Sequence, residues 1–339
     1  MWHKLMHWEY WPSFVFNIPV VFFWLWHGLR ARNIFFFSAA NPVIETGGLL
    51  GESKEAIMQQ VPDKYKPKSV FVPAGSALEA IQQQMESAVI SFPVFGKPNI
   101  GERGFQVSKI IDNEQLRRYF EHNRSRDFLL QEYADFPVEL SVLHYRFPDQ
   151  QKGMISSVCL KKFLSITGDG VHTIAELIEA YPRARFQKKH LDEKWGTRYS
   201  EIPAVGEEIV LVPVGNHSRG AMFLDANDEI DEKLHRVFDD ISHQLDGILF
   251  ARYDLKCASI DALREGRDFA ILEINGAGAE PAHIYDPKNS IWNAYRDMWK
   301  HWRSLYQVSR AQHKAGVPYM TWREARAFWR KHRQSLVRP

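Results

Sequence analysis

The chain has 339 residues, a length that suggests two subdomains plus appendages rather than one core. Its formal net charge is only +2, but the charges are segregated: Ser290–Pro339 carries 11 Lys/Arg against 2 Asp/Glu, and residues 41–289 carry 29 against 38. Uniform basicity would point to nucleic acid; an acidic body with basic, Trp-rich ends points away from it and toward an anionic membrane surface.

The first element is hydrophobic. Trp11 to Leu29 is a run of 19 residues without Asp, Glu, Lys or Arg, close to the ~20 a transmembrane helix needs. Arg30 and Arg32 follow at once, as the positive-inside rule wants for a cytosolic body. A signal peptide is not expected, because the charges follow the apolar run and no small-residue cleavage site stands out. Pro12, Asn17, Pro19 and His27 count against a simple span. A membrane-embedded or re-entrant segment is the expectation, with a helix packed on the body or in an oligomer interface as the alternative.

Next come a turn-rich stretch (Pro42, Gly47, Gly48, Gly51) and a short helix over 52–60. A strand over 68–72 precedes a helix over 76–88, where Ser76 and Glu79 suggest a capping box. Residues 90–111 read as strand, glycine loop, strand; 112–123 as a capped helix; 127–133 and 138–147 as strands; 153–166 as a strand pair or bent strand. A second capping box, Thr173 with Glu176, opens a helix after the Gly168-Asp169-Gly170 turn. An amphipathic helix spans 227–245, and strands over 247–260 and 268–275 close the body. Helices alternating with antiparallel-looking strand pairs favour an α+β (mixed α/β) fold. At the C-terminus, Trp292, Tyr295, Trp299, Trp302 and Tyr306 recur at steps of three and four, one face of a helix, flanked by Arg296, Lys300 and Arg303. Trp322, Ala325 and Trp329 repeat the pattern. Such stripes serve as core or as an interfacial face. Here, beside a hydrophobic N-terminus, a membrane interface is the expectation, with packing on the N-terminal segment as the rival and the two compatible.

Four stretches carry chemistry. Lys97 ends an apolar strand beside a loop holding Gly101 and Gly104, a setting where backbone NH groups and an ammonium can meet phosphates; no Walker A pattern occurs. Gln131, Glu132 and Tyr133 end another strand, with Glu139 following. Arg252 and Asp254 share one strand face, as do Glu273 and Asn275. If those two strands are antiparallel neighbours, Asp254, Glu273 and Asn275 meet as hard oxygen ligands suited to Mg²⁺, with Arg252 alongside to answer phosphoryl charge. Cys159 and Cys257 lie in apolar runs without a CxxC, so core packing in a reducing compartment is expected. His172 and His283 are expected to be structural, His283 near the site.

Taken in order, "PVFGKPNIGERGFQVSK", "LLQEY", "FARYDLK" and "FAILEIN" resemble the ATP-grasp superfamily, notably the D-alanine–D-alanine ligases. "GDGVHTIAELIE" and "NHSRGAMFLDANDEI" resemble the ATP-grasp module of cyanophycin synthetases. The resemblance covers roughly 45–285. It implies an ATP-grasp domain over 41–289, between a hydrophobic membrane-associated segment (1–40) and a basic helical segment (290–339). It implies ATP contacts at Lys97, Asn99, Gly101, Arg103 and Gly104, with Lys161 or Lys162 as a second phosphate contact and Lys54 as an earlier lysine. Gln131, Glu132, Tyr133 and Ala134 would line adenine, and Glu139 would bind ribose. Asp254, Glu273 and Asn275 would hold one or two Mg²⁺, Mn²⁺ being an alternative. Arg252 and Lys97 would be catalytic, and His217, Arg219 and Gly276 would meet the substrate.

Two departures leave the substrate open. The stretch before Lys54 is mostly the hydrophobic segment rather than a further α/β domain, and Gly276–Ala279 replaces the usual turn after the metal asparagine. The expected activity is an ATP-dependent, ADP-forming carboxylate–amine ligase working through an acyl phosphate, on small-molecule or lipid-linked, envelope-associated substrates. It is placed on the cytoplasmic side of a membrane, with no nucleic acid partner and a homodimer as an option. A kinase that stops at phosphoryl transfer is the alternative, and a catalytically dead membrane adaptor the third reading.

Overall fold

The computed structural model describes residues 7–101 and 106–337. Helix α1 (Ser13–Ala31) is followed, after short turns, by α2 (Lys54–Gln60). Strands β1 (Ser69–Val72), β2 (Val94–Pro98), β3 (Ser108–Ile110) and β4 (Phe128–Glu132) form an antiparallel sheet in the order β1-β4-β2-β3. Helices α3 (Leu78–Ser87) and α4 (Asn113–Asn123) cover one of its faces. Ile81, Met85, Leu116 and Phe120 pack there on Val70, Val72 and Leu130.

The second sheet is the larger. β5 (Val138–Tyr145), β6 (Met154–Lys162), β9 (Met222–Asp225), β10 (Phe250–Cys257) and β11 (Phe269–Asn275) run in the order β11-β10-β5-β6-β9, every pair antiparallel. One face of this sheet is apolar. Leu140, Val142, Val158, Tyr253 and Leu255 bury against Leu234, Phe238 and Ile241 of α8 (Glu232–His243). The opposite face is polar and turns toward the first sheet. A small third unit joins β7 (Leu164–Thr167) to β8 (Glu208–Val212), covered by α5 (Ile174–Ala180), α6 (Pro182–Arg185) and α7 (Lys188–Trp195). Helix α9 (Ile260–Arg264) links β10 to β11, and α10 (Ile291–Lys314) and α11 (Trp322–Val337) end the chain. The mixed α+β class is as the alternation of elements indicated.

Local signals held unevenly. The Thr173–Glu176 box forms: Glu176 N–H donates to Thr173 Oγ1 at 3.3 Å, and Thr173 N–H donates to Glu176 Oε2 at 2.8 Å. The box expected at Ser76 does not. The Ser76 hydroxyl instead donates to Pro73 O at 2.7 Å, closing the turn at Gly75, and Ala77 stands at the helix start without a side-chain cap. The run over 153–166 is two strands in different sheets, because β6 continues the large sheet while β7 leaves to pair with β8.

The two ends of the chain pack on each other. Phe16 and Val20 of α1 are buried against Ile284, Ala294 and Met298. Phe16 stacks on Tyr295 at 5.1 Å between ring centroids, Phe23 meets Trp299 edge-on at 5.2 Å, and His27 stacks on Tyr306 at 5.0 Å. Tyr295, Trp299 and Tyr306 of the aromatic stripe therefore face α1, whereas Trp292 is left exposed. The helix that length and composition alone would allow to cross a membrane has one side taken by the body.

Candidate active site

The site is built on the polar face of the five-stranded sheet. Strand alternation puts Arg252, Asp254 and Lys256 of β10 on that face. The pairing register sets Ser141 opposite Asp254 and Glu139 opposite Lys256 on β5, and Lys161 of β6 opposite Glu139. On the other side, β11 aligns Glu273 with Asp254 and Asn275 with Arg252, with a bulge just beyond Asp254. The antiparallel pairing expected of the two acidic strands is therefore present.

Asp254 is the hub. Lys161 Nζ lies 3.3 Å from its Oδ1, Arg252 grips both carboxylate oxygens at 3.1 and 3.2 Å, and Asn275 Nδ2 donates to Oδ2 at 3.2 Å. The Ser141 hydroxyl also donates to Oδ1. Burial alone would raise this carboxyl; Arg252, Lys161 and Ser141 outweigh it and hold Asp254 well below the usual carboxylate range. Lys161 bridges further to Glu139 at 3.4 Å. Burial works against the Lys161 ammonium too, but Asp254 and Glu139 raise it, so it stays charged. Arg252 is steadied by a bond from Nη1 to the Glu280 carbonyl at 3.2 Å.

The other wall comes from the first sheet and from α2. Lys97 Nζ donates to Gln131 Oε1 at 2.5 Å and reaches the Leu272 carbonyl of β11 at 3.5 Å. Gln131 Nε2 reaches the same carbonyl at 3.4 Å. Burial pushes the Lys97 ammonium down to about 8, against the raising pull of Glu273. Lys54 Nζ lies 3.2 Å from Glu273 Oε1 and donates to Gly101 O at 2.6 Å. Lys54, Lys161 and Arg252 thus converge on Asp254, Glu273 and Glu139, and Lys97 closes the cleft from the other sheet through the Leu272 carbonyl. At the end of the cleft, Lys256 Nζ donates to Ala134 O at 3.2 Å and lies 4.8 Å from the centre of the Tyr133 ring. Lys109 sits 4.0 Å over the same ring.

Among the described residues, no three His, Cys, Asp or Glu side chains are grouped as for a metal ion. The expected set has two carboxylates and an amide. Glu273 stands directly opposite Asp254, the Asn275 amide nitrogen donates to Asp254, and the hard oxygens of the set suit Mg²⁺ in kind. Both oxygens of Asp254 are now engaged by Arg252. Ligation there would require that guanidinium to turn toward a phosphate instead.

Other expected residues are placed differently. Lys162 follows Lys161 and so faces the opposite side of β6; it is exposed, which leaves Lys161 as the buried member of the pair. Asn99 is buried, but its side-chain oxygen accepts from Ser53 Oγ at 3.1 Å and Glu55 N–H at 3.0 Å, so it secures the start of α2 rather than facing the cleft. Gly276 serves a chain crossing. A Cβ there would lie 2.6 Å from Gly47 O and 2.8 Å from Gly48 Cα, and Ala277 and Gly278 N–H donate to Gly47 and Gly48 carbonyls at 3.0 and 2.7 Å. His217 is held by Glu9 at 3.1 Å, a carboxylate buried in an ion pair with Arg183, and Arg219 contacts His190 at 3.1 Å. Glu132 extends β4, its N–H donating to Lys68 O at 2.9 Å. Arg103 and Gly104 lie outside the described residues. Cys159 and Cys257 are buried, as expected of core residues. His283 is buried and paired with Ser157 Oγ at 2.8 Å; His172 pairs with Asp169 at 2.6 Å beside the turn.

Sequence reasoning missed Ser141 and Lys256. Lys256 could have been found, since it continues the Arg252, Asp254 alternation by one more step. Ser141 had no such signal, because only its register against Asp254 gives it a role.

No family model matches the chain, and no curated protein matches it. Among solved structures it is similar to a bifunctional glutathione synthetase from Pasteurella multocida, with 18% identity over 73% of this chain and 36% of that one (TM-score 0.38). It is similar to VanG D-Ala:D-Ser ligase from Enterococcus faecalis, with 14% identity over 78% and 63% (TM-score 0.44). D-alanine–D-alanine ligase from Bacillus anthracis shares 12% identity over 80% and 71% (TM-score 0.46). The chain thus spans about a third of the length of the first and just under two thirds of the second.

Proposed function

We propose that this protein is an ATP-dependent, ADP-forming carboxylate–amine ligase of the ATP-grasp kind. The observation that carries the reading is the convergence of Lys54, Lys161 and Arg252 on Asp254 and Glu273, with Lys97 crossing from the other sheet to the Leu272 carbonyl beside Glu273. Such a cleft can neutralise a triphosphate and hold a phosphoryl acceptor in line, which is most of what phosphoryl transfer needs. Asp254, Glu273 and Asn275 are the candidate Mg²⁺ ligands; the ion, when bound, would screen phosphate charge. Lys97 and Lys161 are placed to hold phosphate oxygens, Tyr133 and Ala134 to line the base, and Glu139 to accept from ribose. In the reaction proposed, a substrate carboxylate oxygen attacks the γ-phosphorus and ADP leaves. An amine then attacks the acyl carbon, inorganic phosphate leaves, and the amine nitrogen loses a proton to solvent.

The acid or amine is proposed to be lipid-linked or envelope-associated, with the enzyme on the cytoplasmic face of a membrane. Support comes from the bare apolar side of α1, where Phe14, Phe22 and Leu29 are 72%, 66% and 75% exposed, and from Arg30 in its last turn and Arg32 just beyond it. The test is ADP release across pairs of acids and amines. A pair that releases ADP and yields an amide in equal amounts is expected. A stable phosphorylated acid formed with no amine requirement would replace the ligase reading with a kinase.

A further inference from the structure

Away from the cleft, α1 and α10 enclose a groove of about 540 Å³. Its cations come from both helices: Arg30 from α1, and Arg303, Arg310 and Lys314 from α10. The three on α10 recur at steps of seven and four, so they share one helix face. Arg30 lies 5.2 Å over the Tyr306 ring. Among the described residues, none of the four has a carboxylate partner. His27 also lines the groove. Its side chain is fully buried, and neither ring nitrogen has a hydrogen-bond partner. A buried imidazole without a partner, beside four unpaired cations, is a polar site built for something the chain does not supply.

The surroundings say what kind of ligand. The side of α1 turned away from the body presents Phe14, Ile18, Phe22, Leu25 and Leu29, all exposed, at helical spacing along its length. This apolar stripe and the cationic groove belong to the same helix. α1 cannot cross a bilayer by itself, because its other side is pinned to α10, whose Arg296, Lys300 and Arg303 would have to enter the hydrocarbon with it. Lying in the interface, α1 would bury its stripe among acyl chains and hold the groove at headgroup depth.

We propose that this groove binds the phosphate of an anionic membrane lipid, with α1 lying in the plane of the interface. The inference rests on the membrane part of the proposed function and not on the ligase chemistry. Arg303, Arg310 and Lys314 would hold the phosphate oxygens, and His27 would donate the hydrogen bond it now lacks.

The test is co-flotation of the full chain with vesicles of phosphatidylcholine alone or with phosphatidylglycerol added. The wild type is expected to prefer the anionic vesicles. The double variant Arg303→Gln/Arg310→Gln is expected to bind them about 30-fold more weakly, from the loss of two interfacial cations. Leu29→Ser/Phe22→Ser is expected to weaken binding to both vesicle types. Equal binding of the wild type and the arginine variant would overturn the groove site while leaving membrane association intact. Absence of binding to either vesicle would overturn both. Inorganic phosphate with the full chain, read by tryptophan fluorescence through Trp299 at the groove wall, separates the sources. Saturation by free phosphate that vesicles do not compete away would show a soluble ligand and overturn the lipid assignment.

Discussion

The cleft and the groove between α1 and α10 both gather cations, and they treat them in opposite ways. In the cleft, Lys161, Arg252 and Lys54 each sit within about 3.3 Å of a carboxylate, from Asp254 or Glu273. In the groove between α1 and α10, Arg303, Arg310 and Lys314 have no such partner among the described residues. The reason is depth. Lys161, Arg252 and Lys54 lie between two sheets, where an unpaired charge would be costly to desolvate, and each is held against an acid. The groove cations project from an exposed helix face and remain hydrated, so the fold can leave them ready for an anion from outside.

The contrast breaks most visibly at Asp254. Asp254→Ala should leave Lys161 and Arg252 buried without their shared partner, costing about 3–5 kcal/mol in urea unfolding and eliminating ADP formation. An intact unfolding midpoint would show that the cleft cations do not depend on the hub. Lys97 comes next. Lys97→Met should lower ADP formation by about 100-fold or more while leaving the fold intact, since it removes a charge already disfavoured by burial. Unchanged turnover would remove Lys97 from the phosphate site.

Lys97 also predicts a pH effect. Its folded value of about 8 lies below the ordinary 10.5, so between these limits the unfolded chain binds more protons than the folded one. Stability from this group should therefore rise as pH climbs from about 8 toward 10.5, and the rise should vanish in Lys97→Met. ADP formation should fall as pH rises through about 8, where the ammonium is lost, and Lys97→Arg should move that fall to higher pH. The smallest effect is expected in the groove. Arg310→Gln should change stability by less than about 0.5 kcal/mol, because no ion pair is broken. A larger loss by thermal unfolding would mean that the groove cations are structural after all.

How much of this was legible follows the range of each interaction. The pairing of Asp254 with Glu273 could be read from two short polar alternations 19 residues apart joined by a turn, since a period of two and a short connection nearly dictate an antiparallel neighbour. The Thr173 cap was legible for the same reason: both partners lie within one helical turn. The Ser76 cap failed because a turn a few residues earlier competes for the same hydroxyl. The close packing of Gly276 was not legible, because the residues it meets, Gly47 and Gly48, lie more than 200 residues away.

By itself, then, the sequence determined the faces: which side of each strand is polar, which helix is apolar, and where the basic ends lie. Periodicity is a local property, and side-chain chemistry travels with it. Only the tertiary structure decided that β5 runs between β10 and β6, so that Ser141 and Lys161 reach Asp254, and that Lys97 crosses from the other sheet to β11. It also decided that α1 lies along α10, leaving one side bare and a cationic groove on the other. These are long-range packings, chosen by burial and register across hundreds of residues, and no local spacing encodes them.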